Sequence, residues 1–148
     1  MNSRRRVSAA LIGLLVLVTG GWLGQQVLAR PTIVDRPAAV ASAAGLQVRA
    51  LSQLPPQATQ VWQLIQDGGP FPYRQDGTVF GNREERLPKQ QPGFYREYTV
   101  PTPGESDRGA RRLVTGGPVP SDPVPDDTAE LYYTGDRYES FVVVDPRR

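Results

Sequence analysis

Between Phe94 and Gly116 the sequence reads FYREYTVPTPGESDRGARRLVTG, which gathers residue types able to act on a phosphate ester. Glu97 sits inside an alternating run, Arg108 follows in a loop with Pro101, Pro103, Gly104 and Gly109, and Arg111 and Arg112 open the next extended run. A carboxylate facing guanidiniums across two neighbouring strands can take a proton from a sugar hydroxyl while the arginines hold the phosphate and its developing charge. The same residues also fit a salt-bridge patch on the surface of a sheet. This stretch alone does not separate the two readings.

Composition narrows the chemistry. The chain has no histidine and no cysteine. Imidazole, the commonest general acid/base and metal ligand, is therefore absent, as are thiolate catalysis, Cys-based zinc sites and disulfides. Catalysis must run on carboxylates, arginines, tyrosines or hydroxyls. From Leu46 onward there are 12 Lys and Arg against 14 Asp and Glu, so the overall charge of +2 belongs to the front end. Arg4, Arg5, Arg6, Arg30 and Arg36 there face only Asp35. Bulk charge gives no argument for nucleic acid, and only a local cluster could.

The elements that must position these residues follow from patterning. Residues 1–29 have a basic start, an apolar run from Val7 to Val18 and a small-residue end at Ala29. That describes a cleavable signal peptide, or an uncleaved anchor, since Val7 to Ala29 is about long enough to span a bilayer. In either case the remainder is expected outside the cytoplasm, secreted or anchored facing outward. Residues 30–45 read as a Pro/Ala-rich linker and 46–148 as one domain.

In that domain Ala58, Val61, Trp62 and Ile65 recur at helical spacing, opened by Pro55 and Pro56 and closed by Gly68 and Gly69. Strand candidates are 78–80, 94–100, 111–115, 131–134 and 140–144, with a tight turn at Thr134-Gly135-Asp136. One main N-terminal helix followed by strands predicts an α+β fold, the helix packed on a twisted antiparallel sheet. Alternation puts Tyr95, Glu97 and Thr99 on one face. Phe94, Arg96, Tyr98 and Val100 face the helix, so Glu97 lies on the open side. Only one of Arg111 and Arg112 can point toward it. Gly116 to Glu130, with Asp122, Asp126, Asp127 and Glu130, reads as an exposed acidic loop.

Five blocks carry a family resemblance: LPPQAT (54–59), DGGPFPYRQDGTVFGNRE (67–84), REYTVPTPG (96–104), RGARRLVTG (108–116) and YYTGDRY (132–138). In order and spacing they resemble the small secreted bacterial guanyl-specific ribonucleases of the barnase group, in particular the ribonuclease Sa subgroup. The resemblance implies the microbial ribonuclease fold. It also implies cleavage of single-stranded RNA after guanosine through a 2′,3′-cyclic phosphate, without metal or cofactor. Glu97 falls where the family has its general base, and Arg108 and Arg112 on the arginines that bind the scissile phosphate. Glu84 matches the carboxylate that accepts from the guanine edge, with the backbone amides of Asn82 and Arg83 where O6 is bound. Phe80 and Tyr138 match aromatics lining the base and phosphate pocket.

Chemistry supports these assignments separately. A carboxylate beside backbone amides complements the two donors and one acceptor of guanine, and Phe80 offers a stacking face. Without the resemblance, Glu84 and Glu85 would read as a solvated charge pair.

One departure is costly. Arg137 occupies the position of the family's general-acid histidine, and an arginine cannot hand over and recover a proton. A ribonuclease slowed on the order of 100- to 10,000-fold is expected, with water protonating the leaving oxygen. Gly81 stands where glutamine is usual, which would loosen the base loop, and the terminal disulfide that the resemblance to the ribonuclease Sa subgroup implies has no cysteines here, which predicts lower stability. Two other classes stay open: a module that binds guanine nucleotides or RNA without turnover, and an interaction protein presenting this fold to a partner. The expected form is a monomer whose only membrane contact is an uncleaved leader. A barstar-like inhibitor is the protein partner the resemblance implies.

Overall fold

In the computed structural model, residues 36–117 and 130–148 are described. The expectations for the leader, for the first part of the linker and for the acidic residues 122, 126 and 127 lie outside them. Among the described residues no helix is long and apolar enough to cross a membrane. The chain runs α1 (Arg36–Ala44), β1 (Val48–Ala50), a 3-10 turn (Leu51–Gln53), α2 (Pro56–Asp67), β2 (Thr78–Val79), β3 (Tyr95–Thr99), β4 (Arg112–Gly116), β5 (Glu130–Thr134) and β6 (Val142–Asp145). One six-stranded sheet has the order β1-β6-β5-β4-β3-β2. All pairs are antiparallel except β1 with β6, so the α+β sheet is mixed.

Helix α2 forms for the reasons its sequence states. Pro56 takes the first position, where a missing amide proton leaves no bond unmade. Ala58, Val61, Trp62 and Ile65 are all buried. Gly68 closes the helix at φ 78°, a left-handed conformation that costs a glycine little, and the Gly69 amide returns to the Leu64 carbonyl at 2.8 Å. The stripe packs with Leu51, Leu54, Tyr98, Val100, Leu113, Leu131 and Val144. Burying a side chain such as Ile65 or Leu113 contributes roughly 1.5–3 kcal/mol.

Helix α1 and strand β1 were not legible as such. The second half of the Pro/Ala-rich segment is a helix, because alanine has the highest intrinsic helix propensity even where no apolar stripe exists. Gly45 at φ 66° ends it, with Leu46 N–H donating to the Ala41 carbonyl at 2.9 Å. Ala41 is buried in a second core with Leu87, Tyr95, Val114, Tyr132, Phe141 and Val143. A single small buried residue leaves almost no periodic signal, and neither does a three-residue strand.

This second core also corrects the open-face expectation. Tyr98, Leu113 and Leu131 do face α2, but the opposite face of the sheet is half covered, which is why every residue of β4 is buried. Phe94 belongs to this second core rather than the helix side. It precedes β3 and stacks edge-on against Tyr95, ring centres 5.0 Å apart. Gly116 and Glu130 are strand residues, and Tyr132 Oη donates to Glu130 Oε2 at 2.7 Å, so Glu130 is not a loop charge.

The carboxyl end is clasped by charge. Asp145 is buried and accepts from Arg147 N–H and Nε, both at 3.1 Å, with Arg148 Nε 3.3 Å from its other oxygen. Burial alone would raise the Asp145 pKa, but the bonds from Arg147 and the charges of Arg147 and Arg148 outweigh it and hold it below the ordinary value. A depressed carboxyl contributes stability that is present above its unfolded pKa of about 3.9 and lost as pH falls through the folded one. Asp145→Asn should therefore lower the urea midpoint at pH 7, and the gap from wild type should narrow as pH falls below the unfolded carboxylate value and toward the depressed folded one. A gap independent of pH would show that the charge is irrelevant.

Candidate active site

Three strands supply one row of side chains on the face opposite α2: Thr99 lies opposite Arg112, and Arg112 opposite Thr134. Glu97 sits one step along the same face, opposite Val114. This register resolves the adjacent arginines. Arg112 shares the face of Glu97, while Arg111 shares the face of Leu113.

Glu97 is bound at both oxygens. Arg108 Nη2 donates to Oε1 at 3.2 Å, and Tyr138 Oη donates to Oε2 at 2.6 Å. Arg112 Nε donates in turn to Tyr138 Oη at 3.2 Å, and its carbon lies 5.8 Å from the Tyr138 ring centre. Arg112 is 5% exposed, and its Nη1 reaches the carbonyls of Arg108, Gly109 and Arg111 at 3.2, 3.0 and 2.7 Å. Those bonds offset the cost of burying the cation. Gly109 turns at φ 61°, and a side chain there would meet Thr102 Oγ1 at 2.8 Å, so this carbonyl can be presented only by glycine. The side chains of Glu97 and Arg108 are 14% and 23% exposed. A half-buried, hydrogen-bonded cluster of this kind is not a surface salt-bridge patch.

Tyr138 arrives from the loop between β5 and β6, which is longer than the tight turn expected at 134–136. Asp136 shapes it, accepting from Thr134 Oγ1 at 2.8 Å and from Ser140 N–H at 2.9 Å as well as from the Ser140 hydroxyl. Burial works against the Asp136 charge, but these bonds hold its pKa below the ordinary carboxylate value. Arg137 and Tyr138 both take left-handed backbone, at φ 55° and 72°. Two such residues in succession persist only where surroundings enforce them. Here Arg137 N–H donates to the Ala110 carbonyl and Tyr138 N–H to Thr134 Oγ1, both at 3.1 Å. Arg137 itself is exposed. The Tyr138 phenol is raised above its usual pKa, first by burial and then by the bond to and charge of Glu97, with Arg112 opposing.

The loop after β2 holds the remaining residues. Phe80 donates its N–H to the Tyr95 carbonyl at 2.9 Å, and its ring stacks on Tyr138 at 5.2 Å and 22°. Asn82, at φ 44°, clamps the loop: its amide donates to the Leu87 carbonyl at 2.8 Å and accepts from Leu87 N–H at 2.9 Å. Leu87 is buried in the second core, so the loop is anchored despite Gly81. Arg83 and Glu84 are exposed at its tip, and among the described residues neither side chain makes a hydrogen bond or ion pair. Glu85 turns away to pair with Lys89 at 3.8 Å.

Two supporting residues were missed. Asp76 has a side chain 2% exposed, accepts from Thr99 N–H at 2.7 Å and lies 3.9 Å from Arg108 Nη2. Thr99 accepts from Arg108 Nε at 2.9 Å. In the sequence Asp76-Gly77 reads simply as turn chemistry, and nothing local shows that its carboxylate crosses to β3.

The family model for ribonuclease matches residues 37–145. The chain is 53% identical over 95 residues to guanyl-specific ribonuclease Sa from Kitasatospora aureofaciens, covering 64% of this chain and 90% of that protein. It is 54% identical over 95 residues to guanyl-specific ribonuclease St from Saccharopolyspora erythraea, covering 64% and 83%. Ribonuclease Sa2, solved in complexes with mononucleotides, superposes with a TM-score of 0.61 at 46% identity, covering 70% of this chain and 97% of that one. On the family match, the sequence identity and the shared fold, this chain belongs to the ribonuclease family and groups with its guanyl-specific bacterial members.

Proposed function

We propose that this protein is an exported, guanyl-preferring endoribonuclease that cleaves single-stranded RNA through a 2′,3′-cyclic phosphate and needs no metal or cofactor. The observation that carries this reading is the Glu97 carboxylate tied directly to Arg108 and, through Tyr138, to Arg112. In the reaction Glu97 takes the 2′-hydroxyl proton while Arg108 and Arg112 hold the phosphate and the charge gathering on it. Glu84, with the Asn82 and Arg83 amides, reads the guanine edge, and Phe80 and Tyr138 flank base and phosphate. Arg137 binds phosphate as a fixed charge. It cannot act as an acid, so the departure of the 5′-oxygen is slowed. The leader supports action outside the cytoplasm, and a barstar-like inhibitor inside the producing cell is a fitting partner for a monomeric enzyme of this kind.

The test is a ribonuclease assay on residues 34–148. That length keeps α1, whose Ala41 is part of the core. Release of guanosine 2′,3′-cyclic phosphate is expected. Glu84→Ala should lower the preference for guanosine over adenosine about 10- to 100-fold, the worth of one bidentate base contact. Arg137 favours one competing reading, a binding module on the same scaffold. Guanylate binding that Glu84→Ala abolishes, with no cleavage by wild type at any enzyme concentration, would establish that module instead.

A further inference from the structure

Arg137 leaves the reaction without its usual acid, yet the Glu97 cluster contains a releasable proton. Guanidiniums keep their protons at any ordinary pH. The hydroxyl of Thr134 is bonded to Asp136, and that of Thr99 accepts from Arg108, so neither touches the base. Tyr138 does. Its phenol donates to Glu97 Oε2 at 2.6 Å and receives Arg112 Nε at 3.2 Å. Stacking on Phe80 and the bond from its N–H to Thr134 Oγ1 fix the ring, in a backbone conformation that an L-residue rarely adopts.

We propose that Tyr138 is a catalytic residue in this protein, relaying the proton that Glu97 removes from the 2′-hydroxyl to the departing 5′-oxygen. Resting on the nuclease reading above, the relay balances without another reactant. The 2′-hydroxyl gives its proton to Glu97 as the 2′-oxygen bonds to phosphorus. The phosphorus–5′-oxygen bond breaks, and that oxygen takes the Tyr138 proton. The phenolate then recovers a proton from the neutral Glu97 acid, and the enzyme is back in its starting state. Timing favours the transfer. Burial and the Glu97 charge hold the phenol proton in the resting enzyme. Once Glu97 is neutralised the charge that opposes phenolate has gone, while the Arg112 guanidinium that stabilises it remains. An imidazole acid would instead end the step deprotonated, with the base protonated.

The experiment compares two leaving groups on one enzyme. Guanylyl-3′,5′-cytidine must protonate an alkoxide as it departs. A 4-nitrophenyl ester of guanosine 3′-phosphate releases a stable phenolate that needs no proton. Tyr138→Phe keeps the ring and its stacking but removes the hydroxyl. The relay predicts that it slows the dinucleotide on the order of 100-fold, at least about ten times its effect on the aryl ester. In an Arg137→His background, where imidazole supplies the proton, this selective loss should shrink. Equal losses on both substrates would overturn the relay and leave Tyr138 as a positioning group. A selective loss that stays the same size in the Arg137→His background would overturn it too. A wild-type protein that cleaves neither ester would overturn the nuclease reading as well. Activity of Tyr138→Phe on the aryl ester reports that the variant has folded.

Discussion

Glu97→Gln is expected to lower cleavage of guanylyl-3′,5′-cytidine on the order of 100- to 10,000-fold, the range associated with a positioned general base. The amide matches the carboxylate in shape. Its oxygen can still accept from Arg108, and its NH2 can donate to Tyr138 Oη where the carboxylate accepted. Folding should therefore survive, and the loss should appear in kcat rather than in affinity for guanosine 3′-phosphate. The comparison also bears on the arginines. If Glu97 served only as counter-ion to Arg108, removing its charge would leave the cation freer to hold phosphate, and turnover would hold or rise. An unchanged kcat in Glu97→Gln would remove Glu97 from the chemistry.

Arg137→His is expected to raise the rate on the dinucleotide by about 100-fold, toward the lower part of the general-acid range because Tyr138 already supplies part of that help. Residue 137 is exposed and has left-handed backbone at φ 55°, a region that histidine tolerates better than most side chains. The substitution should cost little stability. It should also introduce a pH dependence absent from wild type. An acid works only while protonated, so the gain should fade as pH rises through the imidazole pKa of about 6.5. Rates measured from about pH 5 to 9, on either side of that value, check this on both proteins. A gain that persists undiminished at the alkaline end would mean that the histidine acts by shape and not by proton transfer.

Much of this protein could be read without coordinates where a physical signal is local or periodic. The stripe Ala58, Val61, Trp62, Ile65 between two prolines and two glycines specifies α2, because each part acts within its own turn of chain. Alternation around Glu97 specifies its face, since successive strand residues point to opposite sides. The absence of histidine is visible in composition alone. The segment 36–44 misled because composition there reports propensity, and whether a helix docks depends on a hole for Ala41 lined by residues far along the chain, such as Phe141 and Val143.

What only tertiary structure decided is which polar atoms meet. Alternation allowed either Arg111 or Arg112 to approach Glu97, and the register of β3 on β4 chose Arg112. Asp76 looked like half of a turn until its carboxylate crossed to the Thr99 amide, 23 residues on. Tyr138 lies 41 residues from Glu97, and their bond depends on loop backbone at φ 55° and 72° that Asp136 and Thr134 hold in place. The sequence by itself determined the elements and the kinds of chemistry on offer, through propensity, periodicity and the roster of titratable groups. Convergence of those groups required the sheet, because hydrogen bonds form over about 3 Å of space and carry no trace along the chain.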